Sequence, residues 1–184
     1  METIILTHWV KEEFKKKVMK KEIPDELVAS HLTALRKQGF MKPVGIWLSV
    51  NNSWENWLEG NWDEWKFGKV CLLADLSFDT NLFIIDSKEK FLDEFLKLTG
   101  EKYGYDGMIP TKEDYMKKLR MIDKFHLELR KKYDGIWLKA APFYAHRLDL
   151  DFDYFYPWDC ESICVWNTDK ITFTESKTEE KEIK

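Results

Sequence analysis

The run TKEDYMKKLRMIDKFHLELRKK, residues 111–132, constrains the fold most. Tyr115, Leu119, Ile122, Phe125 and Leu129 recur at three- and four-residue intervals, which predicts one long amphipathic helix with a single apolar face. Such a face needs an apolar layer to cover. The sequence offers short strand-like runs for it: TIILTHWV (3–10), PVGIWLSV (43–50), KVCLLADL (69–76), NLFIIDS (81–87) and ESICVWN (161–167). A further strand, in YDGIWLKAAP, follows the helix directly through the Asp134-Gly135 turn pair. Two more helices are predicted. One starts near Asp25 and carries Leu27, Val28, His31, Leu32 and Leu35, and the other is SKEKFLDEFLKLTG, with a capping-box pattern at Ser87 and a stop at Gly100. ESICVWN reads as the last strand. Helices and strands mix without a strict βαβ rhythm, so the fold class is α+β.

Composition narrows the setting. A chain of 184 residues fits one domain, residues 1–173, and the tail 174–184 has so little to bury that disorder is expected there. Cys71, Cys160 and Cys164 are odd in number and form no CxxC pair, which argues against a disulfide framework and a structural zinc site. The N-terminal apolar run is too short for a signal peptide or membrane span, so a soluble cytoplasmic protein with no membrane partner is expected. A net charge of −4 gives no broad footprint for nucleic acid. HExxH, P-loop, GxSxG and GxGxxG patterns do not occur, removing the physical parts of several enzyme classes. Asp149, Asp151, Asp153 and Asp159 echo the start of a calcium loop but lack its Gly at six and Glu at twelve, so no metal is expected.

The unusual component is aromatic. Nine Trp are present, and Trp47, Trp54, Trp57, Trp62 and Trp65 crowd one stretch. Core packing is the ordinary role of any one of them. Against that background His8 near the end of the first strand, GIWLS at 45–49, YDGIWL at 133–138 and Glu161 opening ESICVWN stand out. A lone histidine at a strand end is more often structural than ligand-binding, and His31 and His126 fall within helical stripes and read as structural. His146 follows PFYA in an expected loop beside Arg147. Strand parity places Glu161 with Ile163 and Val165, on the buried side. Asp159 is the competing carboxylate.

In this order the four sites resemble the ADP-ribosyltransferase fold, more closely its His-Tyr-Glu branch, which includes the poly(ADP-ribose) polymerases. The resemblance implies a split mixed sheet with flanking helices and NAD as co-substrate. It implies His8 holding the adenine-side ribose and Glu161 stabilising the positive charge that develops when the nicotinamide–ribose bond breaks. Gly45, Trp47 and Ser49 would wall the nicotinamide pocket, Trp47 standing where the family usually has Tyr. Trp54 or Trp57 would complete an aromatic sandwich, with Ser53 at the mouth. The implied activity is mono-ADP-ribosyl transfer to a protein or nucleic-acid acceptor, or to water. A toxin or phage–host conflict factor fits that description, with an antitoxin or regulator as partner. The rival expectations are a catalytically inactive NAD, ADP-ribose or protein-binding module of the same fold and a Trp-rich interaction surface. A 2′-phosphotransferase ranks lower, since the basic pocket it needs is not evident.

Overall fold

The computed structural model describes residues 4–20, 42–59, 69–104, 111–149 and 152–175. The helix expected from Asp25, together with Trp62, Trp65, Asp151 and the tail after Glu175, lies outside the described residues. Seven strands among the described residues form one curled mixed sheet: β1 (Leu6–Lys11), β2 (Ile46–Val50), β3 (Lys69–Leu76), β4 (Leu82–Ile85), β5 (Gly135–Leu138), β6 (Ser162–Val165) and β7 (Ile171–Glu175). Their order is β4-β5-β6-β2-β1-β3-β7, with β4 and β5 parallel and every other neighbouring pair antiparallel. The described helices are α1 (Glu12–Met19), α2 (Ser53–Leu58), α3 (Lys88–Thr99), α4 (Lys112–Arg130) and α5 (Ala140–His146). The class is α+β, as the sequence pattern predicts.

Each expected strand forms, but ESICVWN is not the last. After β6 a 3₁₀ turn at Thr168–Lys170 reverses the chain, and β7 returns along β3. Its pattern is a period of two, Ile171 and Phe173 buried and Thr172 and Thr174 exposed, with too few residues to show clearly in the sequence. His146 also moves, from the expected loop to the end of α5. That helix tolerates Pro142 because its first turn has no intrahelical use for the missing N–H. The reciprocal capping box lies at Thr111 and Asp114 of α4, whereas Ser87 only accepts from the Lys90 amide, since a lysine at the third position has no acceptor to return the bond.

Strand alternation sends side chains to two layers. On the first face Phe83, Ile85, Ile136, Leu138 and Cys164 pack beneath Phe91 and Phe95 of α3 and Ile122, Phe125 and Leu129 of α4. The aromatic segment at Phe152, Tyr154, Phe155 and Trp158 completes that layer. On the second face Leu6, Ile46, Leu48, Trp137, Ile163 and Val165 share a cluster with Val18 of α1. The Asp134-Gly135 pair does more than turn the chain. Asp134 accepts from the Asn81 amide (2.9 Å) and the Asn167 side chain (2.7 Å), and its carbonyl accepts from the Trp166 amide (3.0 Å), which ties β4, β5 and the end of β6 together.

Candidate functional site

Strands β1 and β2 pair only at Leu6–Val50 and Thr7–Ser49 and then part. The opening is bridged by His8, whose Nδ1 donates to the Trp47 carbonyl at 2.9 Å. A carbonyl can only accept, so the proton sits on Nδ1 and Nε2 keeps its lone pair. Desolvation of the ring lowers the His8 pKa below 6.5 and keeps it neutral near pH 7. At this opening lies a cavity of about 220 Å³ lined by His8, Trp9, Trp47, Ser49, Trp54 and Asp159, with Lys42 and Cys160 among its other walls. Three of these indoles come from three elements, β1, β2 and α2.

The turn from β2 into α2 sets half of that geometry. Asn51 and Asn52 both take the left-handed conformation, φ 50° and 60°, which asparagine adopts more readily than most residues. The chain therefore reverses sharply and lays α2 over the end of β2. Ser49 Oγ accepts from the Trp54 amide (2.9 Å), and Ser53 Oγ accepts from the Val50 amide (3.3 Å) while donating to the Glu161 carbonyl (2.7 Å). Trp54 stacks on Trp57 with centroids 4.9 Å apart and planes 15° apart, and Trp47 meets Trp158 edge-on at 4.8 Å. The two cavity rings Trp47 and Trp54 are thus braced from behind.

Glu55 is the residue sequence reasoning missed. Its Oε1 accepts from Thr7 Oγ1 (3.0 Å) and Trp9 Nε1 (2.7 Å), and its Oε2 accepts from Ser49 Oγ (3.2 Å). All three donors line the cavity. Ser49 therefore directs its proton into the protein, onto Glu55, and walls the cavity without a hydroxyl proton left to donate there. The sequence places Glu55 two residues after Ser53 but holds no signal for the α2–β1 register that gives it these donors.

The expected residues divide as follows. His8, Trp47, Ser49 and Trp54 meet at the cavity. Trp57 stands behind Trp54, Ser53 joins α2 to Glu161, and Gly45 packs against Val165 and Cys164 at the start of β2. Glu161 shares the side of Ile163 and Val165, as parity predicts, but does not line the cavity. Its Oε1 accepts from the Trp137 indole at 3.0 Å, with Lys139 Nζ 3.9 Å away and lying over the Trp137 ring. The carboxylate inside the cavity is Asp159, paired with Lys42 at 2.9 Å. Asp149 bonds to Lys88 and His146, and Asp153 to Lys118 and Tyr103, so these three aspartates point to separate partners and do not converge on one centre. Burial pushes the Cys160 thiol up, which keeps it protonated near neutral pH and poor as a nucleophile. No helix among the described residues is long and apolar enough to cross a membrane. Compared with family models, curated proteins and solved structures, the chain matches none.

Proposed function

We propose that the protein is an NAD-dependent mono-ADP-ribosyltransferase whose nicotinamide end binds in the cavity between β1 and β2. The observation that carries this reading is the convergence there of His8, Trp47, Trp54 and Asp159, from motifs distant in sequence. At about 220 Å³ the cavity lies below the usual range of roughly 300–1,000 Å³ for a whole drug-sized ligand, so it suits one ring and part of its sugar, the rest of the dinucleotide extending outside. When bound, NAD supplies a nicotinamide–ribose bond that breaks with its electron pair going to nicotinamide, the ribose carbon then being taken by a macromolecular acceptor or water. Trp47 and Trp54 are the aromatic wall beside which the leaving ring would lie. His8 Nε2 is an acceptor for a ribose hydroxyl. Asp159 is the carboxylate placed to stabilise positive charge at the ribose, a role the family resemblance assigns to Glu161.

The test is nicotinamide release from NAD by the purified protein beside Asp159→Asn and Glu161→Gln, with thermal shift as a control for folding and binding. A transferase with Asp159 in the charge-stabilising role loses on the order of 10²–10³ in rate on Asp159→Asn and less than about tenfold on Glu161→Gln. The opposite order returns the role to Glu161 and requires its side chain to leave Trp137. A second reading, a nucleotide-binding module without turnover, is favoured by one observation: both carboxylates considered for the charge-stabilising role are already engaged, Asp159 by Lys42 and Glu161 by Trp137. It predicts stabilisation by NAD with no release, whichever acceptor is supplied.

A further inference from the structure

The same cavity holds a cation of the protein's own. Lys42 reaches in from the residues before β2, its Nζ 5.1 Å from the centroid of the Trp47 ring and 2.9 Å from Asp159 Oδ2. Trp9 and Trp54 line the same cavity, and indole is the aromatic side chain that attracts cations best. The electrostatics of the wall run the same way. Trp9 gives its N–H to the Glu55 carboxylate at 2.7 Å, a charge-assisted bond that pushes electron density into the indole and makes its face more attractive to positive charge. His8 borders the cavity as a neutral ring, with Phe173 5.6 Å from its centroid. Of the cavity's lining residues Asp159 carries negative charge and Lys42 positive, with the Glu55 carboxylate behind the wall, so removing the ammonium leaves a braced aromatic site with Asp159 unopposed.

We propose that the cavity is a cage for a small planar organic cation and that the Lys42 ammonium is its resident stand-in, displaced when such a cation enters. This deepens the transferase reading, on which it rests only for the natural ligand: the pyridinium ring of an oxidised nicotinamide nucleotide is a planar cation of this class. Lys42 is then a built-in competitor. It keeps Asp159 paired in the empty site, and its release frees that carboxylate only when a cation has arrived. The device favours positively charged rings over neutral ones of the same shape.

The experiment measures binding by tryptophan fluorescence to the full chain, with three probes: N1-methylnicotinamide, which is cationic, nicotinamide, its neutral counterpart, and tetramethylammonium. The wild type is compared with Lys42→Met, with Lys42→Gln as a second variant that keeps a polar end, and with Trp47→Leu; far-UV circular dichroism checks each fold. The expected result is that both Lys42 variants bind N1-methylnicotinamide at least fivefold more tightly than the wild type, leave nicotinamide within twofold, and that Trp47→Leu loses the cation. Unchanged or weaker cation binding in both Lys42 variants overturns the proposal, as does nicotinamide binding as tightly as its methylated form. The two readings fail separately. Binding of N1-methylnicotinamide, tighter than that of the non-planar tetramethylammonium, without nicotinamide release from NAD leaves the cage standing and removes the transferase, whereas release of nicotinamide with no preference for cations removes the cage alone.

Discussion

His126 shows how a single residue ties this fold to pH. It lies on α4 beneath the aromatic segment, its Nε2 2.8 Å from the Tyr154 hydroxyl, and burial with Arg130 nearby lowers its pKa from 6.5 to about 3. The folded protein thus holds a neutral imidazole while the unfolded chain takes up a proton from about pH 6.5 downward. The unfolded state binds more protons across that window, so stability falls as pH falls, and the loss levels off only near the folded pKa. Between pH 7 and pH 5 this one group should remove about 2 kcal/mol, from roughly 1.4 kcal/mol per unit of pKa difference. His8, also held below its ordinary value, adds in the same direction. Urea denaturation of the wild type and His126→Gln at the two pH values checks this: the variant should be less stable at pH 7 and should lose about 2 kcal/mol less on acidification. An equal loss in both would mean that His126 is not neutral in the folded chain.

Among the elements, β2 and β6 approach tightly at Gly45. A methyl group at Gly45 would sit 2.6 Å from the Val165 carbonyl oxygen and 2.8 Å from Cys164 Sγ, both held in the core. Gly45→Ala should therefore force β2 away from β6 and cost about 1–3 kcal/mol, read as a shift of the urea midpoint at unchanged slope. The glycine's place at the head of a strand is the kind of feature sequence announces, because a gap in an apolar run marks close backbone approach. The amphipathic helix α4 was legible because it carries its period over 19 residues, and β2, β3 and β6 because each lies within an apolar, strand-like run. α1, α2 and α5 were not: EEFKKKVM buries only Val18, SWENWL is one and a half turns or so, and AAPFYAH has a proline where a helix pattern is ordinarily broken. At the site, His8, Trp47 and Ser49 could be picked out by their strands. Which carboxylate faces the cavity could not, because Asp159 and Glu161 differ by two residues and the turn before β6, not strand parity, decides where Asp159 points.

At the scale of the molecule the sheet is two halves joined by a short seam. β4-β5-β6-β2 and β1-β3-β7 are each paired over most of their length, whereas β1 and β2 meet only at Leu6–Val50 and Thr7–Ser49, extended by the Ile5–Asn51 bonds at one end. Glu55 reinforces that seam from the first face, since Thr7 and Trp9 belong to one half and Ser49 to the other. Thr7 and Ser49 are buried, so truncating the carboxylate leaves donors with little access to water, each costing on the order of 1–3 kcal/mol. Glu55→Ala should then lower stability by about 3 kcal/mol or more, and Glu55→Gln by less, since an amide oxygen still receives Thr7 and Trp9. The effect should also be local. Amide hydrogen exchange in Glu55→Ala is expected to accelerate at Asn51, whose amide crosses the seam to the Ile5 carbonyl, well beyond any change at Ile136 and Cys164, partners in the β5–β6 pair, because the halves separate before either one unfolds. Uniform acceleration across all strands would mean that the sheet opens as one unit and that Glu55 stabilises it only in bulk; confinement to the seam would make the carboxylate the clasp that sets the width of the cavity.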